Sequence, residues 1–174
     1  MTSGDLLASA RSGDASAFAL LLDSLWEPAY RLAFSMLGDR EAAEDAVQEA
    51  ALKAWRNVRN LRSDTISLRP WFFTILANQC RSTRRNRWWH VMRFATLQDP
   101  EDRTGTNPDV RLHVVDALKR LSDQHRLALA LRYYLDLPVD EVAKVLCISL
   151  PATKSRIRRA LVALETSLEM ADAK

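Results

Sequence analysis

The sequence is poor in the residues that carry most chemistry. It has two cysteines, Cys80 and Cys147, far apart in the chain. That excludes a disulfide framework and implies a reducing compartment. Neither cysteine has a histidine at zinc-ligand spacing, and both fall on apolar faces or turns, where a buried structural thiol is expected. The three histidines, His90, His113 and His125, are isolated. No Glu-x-x-His pair marks a di-metal bundle, and no glycine-rich loop could cradle a phosphate. The expectation is therefore no enzyme, no metal and no cofactor. Four glycines occur in all, Gly4, Gly13, Gly38 and Gly105, and there is no Asn-Gly or Asp-Gly pair, so β-hairpins are not expected. No apolar run approaches the roughly 20 residues of a membrane span. The N-terminal stretch MTSGDLLASARSGD lacks the basic and apolar regions of a secretory signal. A cytoplasmic protein without membrane insertion is expected.

What is present is helical. Apolar residues recur three and four apart over most of the 174 residues, and the balance of 48% hydrophobic and 27% charged residues is that of a globular chain. The spacing predicts a first long helix over Ala15–Leu37, burying Phe18, Leu21, Leu22, Leu25, Leu32 and Met36, with Pro28 as a kink or break. Gly38 ends it and Asp39 caps the next helix, Arg40 to Val58, which buries Ala43, Val47, Ala50, Ala54 and Trp55. A polar stretch, Arg59 to Arg69, leads to a third helix with Pro70 in its first turn, running to Trp88. The segment TLQDPEDRTGTNPD, Thr96 to Asp109, reads as a flexible acidic linker. Four shorter helices follow: Val110–Leu121, Asp123–Leu135, Val139–Leu146 and Leu150–Leu168. The predicted architecture is all-α: two small helical domains, 1–95 and 110–174, joined by the linker 96–109.

Three constellations stand out. In the second domain, Val139, Val142, Ala143 and Leu146 face inward on a short helix, Cys147-Ile148-Ser149 turns the chain, and Ser149 caps a basic helix. Ile157, Ala160, Leu161, Leu164 and Leu168 lie on one side of that helix. Pro151, Ala152, Ser155, Arg158 and Arg159 lie opposite, flanked by Lys154 and Arg156. A helix-turn-helix of this kind places its second helix in the major groove, where Arg reads guanine and Lys or Arg neutralises phosphate. In the first domain, Glu41, Glu44, Asp45, Gln48 and Glu49 form an acidic stripe. It is either a solvated face, since acids favour a helix N-terminus, or a protein docking surface. The third helix sends Phe72, Phe73, Leu76 and Cys80 to a core and Trp71, Thr74, Asn78, Arg81, Ser82 and Arg85 the other way. Five arginines and no acid lie between Arg81 and Arg93, interleaved with Trp88 and Trp89. Guanidinium groups beside flat rings suit single-stranded nucleic acid. The two tryptophans could equally be core, and the Arg59–Arg69 loop either contacts bases or only connects helices.

These residues resemble the extracytoplasmic-function (group IV) sigma factors of bacterial RNA polymerase. DREAAEDAVQEAALKAW, Asp39 to Trp55, is similar to the family's signature helix. RPWFFTILANQCRSTRR, Arg69 to Arg85, is similar to its Trp-hydrophobic-x-x-Ile-x-x-Asn helix with trailing arginines. DEVAKVLCISLPATKSRIRRA is similar to its helix-turn-helix. The resemblance covers about Phe18–Arg93 and Leu112–Leu164. It implies a sigma region 2-like domain in which Glu44, Asp45, Gln48 and Glu49 dock on the coiled coil of the polymerase β′ subunit. Asn60, Arg62, Ser63, Asp64, Trp71, Thr74, Asn78, Arg81 and Arg85 would bind and melt the −10 element. It implies a region 4-like domain in which Ala152, Lys154, Ser155, Arg156, Arg158 and Arg159 read the −35 element beside the β-subunit flap. The implied partners are core RNA polymerase, promoter DNA as duplex and single strand, and an anti-sigma protein. The sequence departs from the family at Cys147 and Pro151, where glycines are usual, at Thr153 for Val, Ser82 for Asp and Leu161 for Arg. No appended C-terminal domain is expected. The alternative function is a helix-turn-helix regulator acting on duplex DNA without polymerase; a third is an RNA-binding or helical scaffold protein.

Overall fold

The computed structural model describes residues 2–61, 68–87, 114 and 116–172, and all regular structure among them is helical. The chain divides into two compact units, Met1–Ala95 and Thr96–Lys174. The expected linker 96–109 and the segment from Trp88 to Phe94 lie outside the described residues.

The first unit opens on a helix that periodicity did not reveal, α1 (Ser3–Ser12). It carries few apolar residues, and its ends are fixed by local chemistry. The Thr2 hydroxyl accepts from the Asp5 N–H at 3.3 Å, and the Thr2 N–H donates back to the Asp5 carboxylate at 2.8 Å. These bonds from the Thr2 main chain and hydroxyl hold the Asp5 carboxyl below its usual pKa. Gly13, at φ 106°, closes the helix in the left-handed conformation. Next, α2 (Ala15–Leu37) is capped by Asp14, whose carboxylate accepts from the Ser16 and Ala17 N–H groups. Every residue expected on its buried stripe is buried. Pro28 does not break it. The carbonyl that a proline at this position leaves without a donor belongs to Ser24, which is exposed and can bond water.

Gly38 and Asp39 act as expected. The first adopts the left-handed conformation, and the second accepts from the Ala42 N–H at 2.8 Å to start α3 (Arg40–Asn57). That helix buries a face made mostly of alanine: Ala42, Ala43, Ala46, Ala50 and Ala54, with Val47. Trp55 is half-buried and packs its ring on Phe18, 5.2 Å between centroids. The last turn tightens into a 3₁₀ helix, Val58–Asn60, and α4 begins at Leu68 and runs to Arg87. Phe72, Phe73, Leu76, Ala77 and Cys80 of α4 are fully buried against α2 and α3. Burial pushes the Cys80 thiol up to about 12, so it stays protonated and behaves as a small apolar side chain.

In the second unit, residues 116–120 form a helical segment (α5), followed by α6 (Asp123–Leu129). The Arg126 guanidinium closes the end of α5 by donating to the Leu118, Lys119 and Leu121 carbonyls at 3.0, 3.0 and 3.1 Å. The helix expected to continue to Leu135 instead widens into a π-helical turn, Ala130–Tyr134, closed by the Leu135 N–H on the Ala130 carbonyl at 2.9 Å. Then come α7 (Val139–Leu146) and α8 (Leu150–Asp172). Leu121, Leu129 and Ala160 form a core cluster against which Leu118, Ala163 and Leu164 pack. Two side chains depart from expectation. Leu161, assigned to the inward side of α8, is 40% exposed, and Cys147 is an exposed thiol, not a buried one. Both lie at the margin of a short apolar face, where a single turn of helix decides burial.

Candidate functional site

The first unit presents two chemically opposite faces. On α3, Glu41, Glu44, Asp45 and Gln48 are exposed and Glu49 is half-exposed. Arg40 pairs with Glu44 at 3.3 Å, and Lys53 with Glu49 at 3.9 Å. Such exposed i,i+4 pairs contribute little stability, about 0.3–0.5 kcal/mol each. Asp45 and Gln48 have no partner among the described residues. Both line an open groove of about 320 Å³ between α3 and α4, completed by Ala46, Glu49, Leu52, Gln79 and Thr83. The sequence reading placed this face on one helix. The structure adds Leu52, half-exposed, and two residues of α4 that the reading missed. Leu52 stands four residues after Gln48, a spacing that puts both on one side of the helix. Lys53 also donates to the Gln79 amide oxygen, whose amide nitrogen donates to Thr83 at 3.3 Å. This chain of bonds fixes the floor of the groove.

On the outer face of α4, Asn78, Arg81 and Arg85 are exposed, while Trp71, Thr74 and Ser82 are half-buried. Arg81 donates to the Asn78 side-chain oxygen at 2.8 Å, so the two polar heads are held together one turn apart. The Thr74 hydroxyl turns back on its own helix, donating to the Pro70 carbonyl at 2.8 Å. Asn60 is exposed at the end of the 3₁₀ turn. Arg62, Ser63 and Asp64 lie outside the described residues, as do Trp88 and Trp89.

In the second unit, α7, a tight turn and α8 form a helix-turn-helix. Cys147 caps α7 in the left-handed conformation, φ 54° and ψ 43°. Ser149 starts α8: its hydroxyl accepts from the Ala152 N–H at 3.4 Å and its carbonyl from the Thr153 N–H at 2.9 Å. Thr153 is fully buried and donates its hydroxyl to that same carbonyl at 3.0 Å. Lys154, Arg158 and Arg159 are exposed; Ala152, Ser155 and Arg156 are half-buried along their flank. Arg159 donates to the Ser155 carbonyl at 3.3 Å. No acid occurs from Leu150 to Leu164, so the field over this face has one sign. Among the described residues no three His, Cys, Asp or Glu converge as metal ligands, and no helix is long and apolar enough to cross a membrane.

Two family models match this chain: Sigma-70 region 2 over residues 22–90 and Sigma-70 region 4 over residues 117–165. The ECF RNA polymerase sigma factor SigL of Mycobacterium tuberculosis is 32% identical over 172 residues, covering 91% of this chain and 94% of that protein. The chain belongs to the ECF RNA polymerase sigma factors. SigK of Mycobacterium bovis, another of them, is 30% identical over 90% of this sigma factor and 88% of its own length. Among solved structures, CnrH in complex with the cytosolic domain of CnrY is similar at a TM-score of 0.76 and 25% identity, covering 97% of each chain. So is the sigma factor RpoE in complex with the anti-sigma factor NepR from Bartonella quintana. Its TM-score is 0.74 at 25% identity, over 87% of this sigma factor and 96% of that one. The acidic groove and the α4 face fall inside the region 2 match, and α7 with α8 as far as residue 165 inside region 4. Helix α1 precedes both.

Proposed function

We propose that this sigma factor divides its work among the three surfaces. Glu44, Asp45, Gln48 and Glu49 dock on the β′ coiled coil of core RNA polymerase. Asn60, Trp71, Thr74, Asn78, Arg81 and Arg85, with the loop residues Arg62, Ser63 and Asp64, bind and help melt the −10 element. Ala152, Lys154, Ser155, Arg156, Arg158 and Arg159 read the −35 element, with the rest of their domain on the β flap. The observation that carries this reading is the separation of charge: Asp45 and Gln48, without a partner among the described residues, on one helix, and acid-free basic faces on α4 and α8. One face suits a basic protein partner and the other two suit phosphate. Residues 1–95 and 110–174 act as the two DNA-binding domains and 96–109 as the tether, so that polymerase presents both to one promoter as a bivalent unit. Capturing an unstacked base offsets an extrusion cost of a few kcal/mol. The polymerase supplies the chemistry and this chain supplies none. It acts in the cytoplasm, and an anti-sigma protein restrains it, a reading supported by the complexes in which CnrH and RpoE were solved.

The test is reconstitution. Core RNA polymerase, with and without the full chain, transcribes a library randomised in two windows upstream of the start, and run-off transcripts are sequenced. The expected result is a shared pair of elements enriched only when the chain is present. No enrichment, with the chain alone selecting duplex sites, would make it an ordinary helix-turn-helix regulator.

A further inference from the structure

Helix α1 lies outside the region 2 match, yet it is the better-capped end of the first unit and it packs on α2 and on the 3₁₀ turn Val58–Asn60. Two contacts tie it to the residues leading out of α3. The Arg11 guanidinium donates to the main-chain carbonyl of Leu61, the last described residue before the −10 loop. At Gly13, the left-handed residue ending α1, a Cβ would stand 2.5 Å from Nη2 of Arg59. The Arg59 guanidinium therefore reaches the Gly13 position end-on through Nη2, in space that a Cβ there would take, and the left-handed φ itself favours glycine. Val58 and Leu61 are buried on either side of the exposed pair Arg59 and Asn60. The turn is thus held from below by Val58 and Leu61 and from the side by α1, with Asn60 projecting outward.

We propose that Arg11, with Gly13, is a positioning residue for −10 strand recognition: α1 clamps the Val58–Leu61 turn so that Asn60 is presented in one geometry. This rests on the promoter-melting reading above. Such a restraint matters because Asn60 is the last residue of the three-residue 3₁₀ turn that ends α3, where no further helical turn fixes its direction. A polar group that must meet an unstacked base is effective only when its direction is set beforehand. A guanidinium on a carbonyl supplies that restraint without occupying the DNA-facing side.

The experiment uses full-chain holoenzyme and a fluorescent single-stranded −10 oligonucleotide taken from the promoter selected above. Arg11→Met should weaken binding about tenfold, Arg11→Lys should bring it back to within about twofold, and Gly13→Ala, which changes no charge, should match Arg11→Met. Core-polymerase affinity should not move. The deciding arm is the double variant: in an Asn60→Ala background, Arg11→Met should add less than about twofold, because its effect passes through Asn60. A full tenfold loss in that background would overturn the proposal and make Arg11 a stability strut or a bulk charge. So would an Arg11→Met holoenzyme that binds the strand normally. If the unaltered holoenzyme fails to bind the strand at all, the promoter reading itself falls and this proposal with it.

Discussion

Replacing Cys147 by glycine should stabilise the second unit. Cys147 ends α7 at φ 54° and ψ 43°, where the Cβ of any L-residue crowds the following carbonyl. That conformation costs roughly 1–2 kcal/mol. The side chain returns little: the thiol is exposed, and among the described residues its hydrogen bond is a weak one to the Lys144 carbonyl at 3.6 Å. Glycine removes the crowding but gives the unfolded chain more freedom, which takes back about 0.4–1 kcal/mol. The net gain is about 0.5–1 kcal/mol, or about 3–6 °C in Tm for a unit of this size. Cys147→Ala keeps the Cβ and should leave Tm unchanged. The assay needs a signal for this unit alone, and the sequence supplies the separation. All five tryptophans, Trp26, Trp55, Trp71, Trp88 and Trp89, precede it. Tryptophan fluorescence then reports the first unit, and far-UV circular dichroism reports both. Only the ellipticity transition absent from fluorescence should shift in Cys147→Gly. Equal melting of the glycine and alanine variants would refute the reasoning, because the left-handed turn would then carry no strain.

Four further outcomes follow from the described geometry. Asp45→Ala with Gln48→Ala breaks no bond among the described residues, so the Tm should stay within about 1 °C while core polymerase pull-down falls at least tenfold. Undiminished pull-down would move docking elsewhere. Arg158→Ala or Arg159→Ala should each cost about 1–3 kcal/mol in −35 duplex binding where a base contact is lost. Lys154→Ala should instead reduce the slope of log affinity against log salt by about one, as a phosphate contact would. Cys80 gives a pH signature. Its thiol is held near 12 in the fold against 9.0 as its ordinary value, so between these the unfolded chain binds fewer protons and stability falls as pH rises. The slope should approach about 1.4 kcal/mol per pH unit above pH 9 and shrink in Cys80→Ala, measured by urea melts.

Long periodic elements were readable from sequence because their burial is decided within the element. The stripe of α2 needs no knowledge of its neighbours, and Gly38-Asp39 marks a boundary by local bonding alone. Helix α1 escaped because its apolar content is low; its signals were the Thr2–Asp5 box and Gly13, which mean something only once paired. The π turn at Ala130–Tyr134 was unreadable for a different reason. An extra residue in a helix leaves the apolar pattern nearly intact while shifting everything after it. The same holds for the candidate surfaces. Charge blocks named the helices, but the groove on α3 depends on Gln79 and Thr83, which only packing brings to Asp45 and Gln48.

The alanine face of α3 separates two kinds of inheritance. Its inner side is a fully buried row made mostly of alanine, so a larger residue at Ala43, Ala50 or Ala54 would wedge the neighbouring helices apart. Its outer side carries Asp45 and Gln48, which have no hydrogen-bond or ion-pair partner among the described residues. Recognition can therefore be rewritten one letter at a time while the scaffold beneath stays fixed, as the bitting of a key is recut without altering the blank. Exchanging only the outward residues of α3 between two such proteins should exchange their affinities for core polymerase and leave both melting curves where they were.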